Sequence, residues 1–166
     1  YIDLRKEKGV FAKTLAIKEK IMDIFEMYQC YNEGQLRMLD PTAEYPIQHI
    51  YIEQPFTFFN SGGSSAKTMA VLQRFNGIVS WLLYELFEIE PEYVGATAAR
   101  KEAGIKIPRG TKAKKVVMEH LLENESAFKV EYTRHGNPKA QYFDMADAII
   151  VARAGYRIEQ KKQENT

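Results

Sequence analysis

The chain has 166 residues, 45% of them apolar and 27% charged, with a formal net charge of only +1. That length suits one globular domain with a substantial core, and the charge balance excludes an indiscriminately basic nucleic-acid binder. No apolar run approaches the ~18 residues of a membrane span and no signal peptide opens the chain, so no membrane partner is expected. The lone Cys30 cannot form an internal disulfide, which suits a reducing interior. Cys30, His49, His120 and His135 stand singly, without zinc spacing.

In chain order, Leu15, Ile17, Ile21, Ile24, Phe25 and Tyr28 recur at helical spacing and predict a helix from Thr14, as cap, to about Tyr31. Glu33 to Pro46 is polar and reads as a connection. The β-branched and aromatic run Ile47 to Ile52 predicts a strand that ends directly in Glu53. Gly62, Gly63, Ser64 and Ser65 form a lead-in to a helix reaching about Phe87, with Ser64 or Ser65 as its cap. A glycine-rich loop before a helix can hold phosphate, but this one lacks the Gly-Lys-Ser/Thr of a P-loop. Glu92 to Ala96 reads as a short strand, Lys112 to Glu123 as a helix and Phe143 to Ala154 as the last helix, with residues 158–166 as a fraying polar tail after the domain spanning 1–157. Strands alternating with helices predict an α/β fold with a mixed or parallel sheet covered by helices on both faces.

Three patterns carry chemistry. Asp144 and Asp147 lie three apart on an otherwise apolar helix, where neighbouring charges repel; at about 4 Å and an effective dielectric of about 20 the cost is roughly 4 kcal/mol. A hard divalent cation shared with a phosphate substrate would remove it, while the alternative is a helix N-terminus with Asp144 as cap and Asp147 in its first turn. Glu53 stands at the carboxyl end of a strand, where open α/β sheets bind ligands; a merely solvated strand-end glutamate is the alternative. From Arg100 to Lys115, seven basic residues (Arg100, Lys101, Lys106, Arg109, Lys112, Lys114, Lys115) face a single acid, Glu102, in a stretch punctuated by Pro108 and Gly110. Such a loop can track a phosphate backbone. Phe56, Phe58 and Phe59 lie between Glu53 and the glycine-rich loop, either as core or as rings that stack on unpaired bases.

The segments Ile52-Glu53-Gln54-Pro55-Phe56 with Asn60, Leu72-Gln73-Arg74 with Gly77, Ala98-Ala99-Arg100-Lys101, Gly110 to Leu122, and Asp144-Met145-Ala146-Asp147-Ala148 follow one another in an order and spacing that resembles the RuvC-like Holliday junction resolvases of the ribonuclease H superfamily. The closing D-x-A-D-A is the most specific of them. The resemblance covers most of the chain and implies a ribonuclease H-like mixed sheet flanked by helices on both faces.

It further implies a Mg²⁺-dependent endodeoxyribonuclease, with Mn²⁺ able to substitute, that cleaves four-way junctions or other branched DNA by two-metal phosphodiester hydrolysis in recombination and repair. Three of the family's four metal-holding carboxylates have matches, Glu53, Asp144 and Asp147. Lys114 matches a lysine beside the active site, as does Lys101, and Phe56 matches an aromatic wedge that reads the branch. Asn60, Lys67, Arg100, Arg109, Lys112 and Lys115 are expected at nearby phosphates. Ala98 to Lys101 resembles the family's next strand and turn. Tyr1 to Leu4 reads as its third strand, with Lys6 to Gly9 as the loop before the first helix, so that the first two strands and first catalytic Asp are expected to be absent; Asp3 as that carboxylate in a shortened sheet is the alternative. A homodimer is implied, with the long helix from Ser65 and its Trp81 as the dimer face, in a cytoplasmic or nucleoid-associated, phage or organellar setting. Three other readings stay open: an inactive branched-DNA-binding relative, a transposase-type or RNA-directed nuclease of the same superfamily, and a phosphate-ester or nucleotide-binding α/β domain.

Overall fold

Gly9 adopts a positive φ of 86° and turns the chain into α1 (Val10–Leu36), a full turn earlier than the apolar spacing predicts. Thr14 is not its cap: the hydroxyl donates to the Val10 carbonyl at 2.9 Å, a bond made inside the first turn. Residues 2–4 form no strand, contrary to expectation; Asp3 instead takes hydrogen bonds from the Arg5 backbone and guanidinium, which close a local turn. This computed structural model describes residues 2–36, 47–55 and 66–165, with side chains described from 27 to 36 excepted. Glu33 to Leu36, expected to begin a connection running to Pro46, belong instead to α1; the rest of that stretch, 37–46, the aromatic cluster Phe56, Phe58 and Phe59, Asn60, the glycine-rich lead-in and its serine cap, and the Cys30 side chain lie outside the described residues.

The chain divides into two compact units. One, Ile2–Gln48 with Phe59–Glu90, contains α1 and α2 (Ala66–Phe87), whose Phe25 and Phe87 rings meet edge to face with centroids 5.5 Å apart.

The other unit, built mainly from His49–Phe58 and Pro91–Thr166, holds both strands and the remaining helices. β1 (Tyr51–Glu53) and β2 (Glu92–Val94) pair in parallel with Tyr51 opposite Glu92 and Glu53 opposite Val94. Bonds from Glu92 N to Ile50 O and from Gln54 N to Val94 O extend the ladder by one link at each end. β1 is shorter than the run from Ile47 predicts because the strand beside it offers only these partners. β2 stops where Gly95, still extended, becomes the residue before α3 (Ala96–Glu102).

Ala98 to Lys101 is therefore helix, not the strand and turn that the resemblance implies. Alanine, arginine, lysine and glutamate dominate the segment, and all favour helix. α3 ends in a Schellman turn: Gly104, at φ 75°, donates to Lys101 O, and Ile105 donates to Arg100 O. After the loop to Lys112 come α4 (Ala113–Asn124) and then α5 (Gln141–Glu164). α5 starts two residues before Phe143 and continues through the polar segment expected to fray, because Lys161 and Lys162 pair with Glu102 and Glu92 and Glu159 accepts a bond from the Tyr51 hydroxyl.

One apolar core joins these elements: Val94 of β2, Ala99 of α3 and Ala103 at its C-terminal cap, Val117, Met118 and Leu121 of α4, and Ala146, Ile150, Val151 and Ala154 of α5. Small residues on the facing sides of α3 and α5 let the two backbones approach closely. Among the described residues the architecture is mixed α/β, mostly helical, around a two-stranded parallel sheet. No described helix is long and apolar enough to cross a membrane.

Candidate metal and phosphate site

Side chains alternate along a strand, so Tyr51 and Glu53 share one face of β1. That face is the one α5 covers, since the Tyr51 ring lies over Gly155 and its hydroxyl donates to Glu159. α5 runs back against the strands, so its first turns reach their carboxyl ends and its last turns their beginnings. Asp147 lies three and four residues before Ile150 and Val151, on the buried stripe of α5, and its side chain is 20% exposed. Asp144, one turn earlier and nearer the rim, is 73% exposed. It occupies the first turn of α5 but does not cap it, because Ala140 holds the capping position.

Lys114 reaches this pair from α4. It sits one turn before the buried Val117 and Met118, which fixes its stem on the side of α4 facing α5. Its ammonium donates to Asp144 Oδ1 at 3.1 Å and stands 3.5 Å from Asp147 Oδ2. Burial opposes the charged ammonium, and the two carboxylates outweigh it, holding the Lys114 pKa above the ordinary lysine value.

Glu53 completes the group from β1. Although exposed by area, its carboxyl lies over enough protein for desolvation, and next the Asp147 charge, to raise its pKa; Lys114 and Arg100 pull the other way and Asp144 adds to the rise. A raised value means that the fold favours the protonated form: the stability Glu53 contributes is present below the ordinary glutamate range and lost as pH rises through the folded value. Glu53→Gln is therefore expected to raise the melting temperature at pH 7 by about 1–2 °C, on roughly 0.5 kcal/mol after solvent screening. Thermal melts at pH 4 and pH 7 check this, and a gain of equal size at both would contradict it.

Asp144, Asp147 and Lys114 thus come together from α4 and α5, and Glu53 on β1 feels the charges of all three and of Arg100 of α3. Lys101, Arg109 and Lys112 are exposed, and Lys115 pairs with Glu119 at 3.5 Å. Phe56 and Asn60 lie outside the described residues.

At the opposite ends of the strands is a cluster that sequence spacing could not reveal, because its members come from three distant segments. His49, Glu92 and Glu159 bring ligand atoms within 4.8 Å of one another. Lys162 already stands among them, 3.1 Å from Glu92 and 2.7 Å from Glu159, and the Tyr51 hydroxyl donates to Glu159. Burial and then the Glu159 bond raise the Tyr51 pKa, while Lys162 and then Tyr51 lower that of Glu159. The cluster acts as a clasp that ties the end of α5 to the strands.

No protein-family model, curated protein or solved structure matches the chain.

Proposed function

We propose that the chain is a divalent-metal-dependent endonuclease of the RuvC-like type acting on branched DNA, its parallel strands and α5 forming part of a ribonuclease H-like framework. The observation that carries this reading is the pairing of Asp144 and Asp147 with the Lys114 ammonium, with Glu53 at the carboxyl end of a parallel strand near enough to feel their charges. The donor set fits a hard cation: every donor is a carboxylate oxygen, and one ammonium already occupies the cation's place between the two aspartates without balancing three negative charges. Bound there, Mg²⁺ or Mn²⁺ would supply Lewis acidity toward a phosphodiester and lower the pKa of the attacking water.

The chain's own residues do the rest. Glu53, Asp144 and Asp147 hold the charge, and no nucleophilic side chain is needed. Lys114, on a flexible stem that is 60% exposed, turns from the aspartates to a phosphate oxygen once they are neutralised otherwise. Arg100, Lys101, Arg109, Lys112 and Lys115 line the route of the backbone, with Phe56 at the branch and Asn60 at a neighbouring phosphate. A homodimer would use the face of α2 on which Trp81 and Tyr84, three residues apart, stand exposed.

One second reading has an observation behind it. Lys114 pairs with both aspartates, as it would in a relative that binds branched DNA without cutting. A four-way junction beside a linear duplex of the same sequence, each with Mg²⁺ and with chelator, separates the two. Paired cuts confined to the junction with Mg²⁺ are expected; junction binding without cuts would favour the inactive relative, and no preference for the junction would remove both. Lys114→Glu is expected to weaken junction binding and to reduce the slope of log affinity against log salt by about 1, the contribution of one phosphate contact. An unchanged slope would count against Lys114 as that contact.

A further inference from the structure

Next to the acidic centre is a cavity of about 460 Å³ that neither the metal site nor a backbone-tracking strip of lysines requires. The Schellman turn at Gly104 creates it: the chain leaves α3 abruptly, Ile105 turns into the core, and Lys106 and Ile107 run on toward α4. Gly104 and Ala113 are too small to fill the gap. Its walls divide by chemistry. Arg100 and Lys101 from the last turn of α3 and Lys106 from the loop supply three cations, Ile105 and Ile107 supply an apolar floor, and the Thr97 hydroxyl at the wall accepts a bond from Arg100 at 3.2 Å. Among the described residues no acid lines the cavity. Glu102, the one acid in this stretch, is drawn instead to Lys161 of α5 at 2.5 Å, and its carbonyl accepts a bond from Arg157.

A strip that only tracked phosphates would be flat and solvated. A concave apolar floor under a cationic rim, with a volume in the range of small-ligand sites, matches a body with a flat or apolar part and an anionic head. We propose that this cavity receives one unpaired nucleotide of a DNA strand, with the base and sugar over Ile105 and Ile107 and the phosphate held by Arg100, Lys101 and Lys106. Guanidinium planes also stack on bases, so Arg100 can serve both base and phosphate. The inference rests on the nucleic-acid reading above and adds the form of the substrate: strand with an unpaired nucleotide beside the point of cleavage. Arg100 links the two places, since its charge is felt at Glu53.

The test uses the whole chain with chelator, so that a protein unable to cut can still pass. A short fluorescein-labelled oligothymidylate is titrated by anisotropy, with thymidine 5′-monophosphate or inorganic phosphate as competitor. Competition by the mononucleotide but not by equal inorganic phosphate is expected. Thr97→Trp, which fills the cavity from an exposed helical position, and Lys106→Glu, on the exposed rim, are each expected to weaken oligothymidylate binding by about tenfold with helical content unchanged, and Thr97→Trp, which alters no charge, is expected to leave linear-duplex binding within about twofold. Equal competition by inorganic phosphate, or unchanged affinity in both variants, would overturn the pocket. Mononucleotide binding that the oligonucleotide cannot displace would overturn the strand assignment and indicate a free-nucleotide site.

Discussion

Asp147→Asn is expected to lower junction cleavage by about 10³-fold while leaving junction binding within about twofold. Asp147 is the carboxylate that the fold has placed most deliberately. It lies on the buried stripe of α5 at 20% exposure, faces Lys114 and is the charge that Glu53 feels most strongly. Asparagine keeps its size and one oxygen but removes the negative charge that holds a hard cation. Loss of several kcal/mol of charge stabilisation in the transition state, at 1.36 kcal/mol per tenfold, gives a loss of about that size. Binding should survive because the basic side chains from Arg100 to Lys115 are untouched. Stability should hold or rise slightly, since the change relieves repulsion on Glu53, and a melt run beside the cleavage assay separates lost chemistry from lost fold. Cutting near the original rate would sink the assignment of the metal site.

The second large effect concerns the clasp that aligns the site. A methyl group at Gly155 would stand 2.2 Å from Cδ2 of Tyr51 and 2.6 Å from two further ring atoms, closer than any real contact. Overpacking of this kind costs about 1–3 kcal/mol or more, against which alanine regains about 1 kcal/mol of helix propensity. Gly155→Ala is accordingly expected to destabilise by about 2 kcal/mol and to lower the melting temperature by about 6 °C. Because the ring that must move belongs to β1, the displacement also carries Glu53, two residues on, and cleavage should fall beyond the loss due to unfolding. In a Tyr51→Ala background the same substitution should be neutral or stabilising, since nothing then opposes the new methyl. A Gly155→Ala protein as stable as the parent would show that the ring does not cross α5 at this point.

How much of this was legible beforehand varies with the range of the forces involved. The helix after Lys112 and the strand pair around Glu53 and Glu92 follow from local pattern, and the chain forms them nearly where expected. Ala98 to Lys101 forms helix rather than the strand and turn that the resemblance implies, because alanine-rich sequence favours helix and Gly95 and Gly104 bracket it. The extension of α5 beyond Arg157 had no local signal. Its last turns are polar and are held by Lys161 to Glu102 and Lys162 to Glu92, partners that only folding brings near.

For the site, the sequence by itself determined the chemistry: two acids one turn apart on an apolar helix, a glutamate ending a strand, and a cationic stretch with a single acid. Those are properties of residue type and short spacing, which local structure preserves. Only the tertiary structure decided that α4 and α5 bring Lys114 to the two aspartates, that Glu53 feels their charges and has its protonated form favoured, and that Glu102 is drawn to Lys161 rather than to a cationic cavity. Desolvation and charge interaction act across space rather than along the chain, so their outcome depends on which surfaces the core brings together.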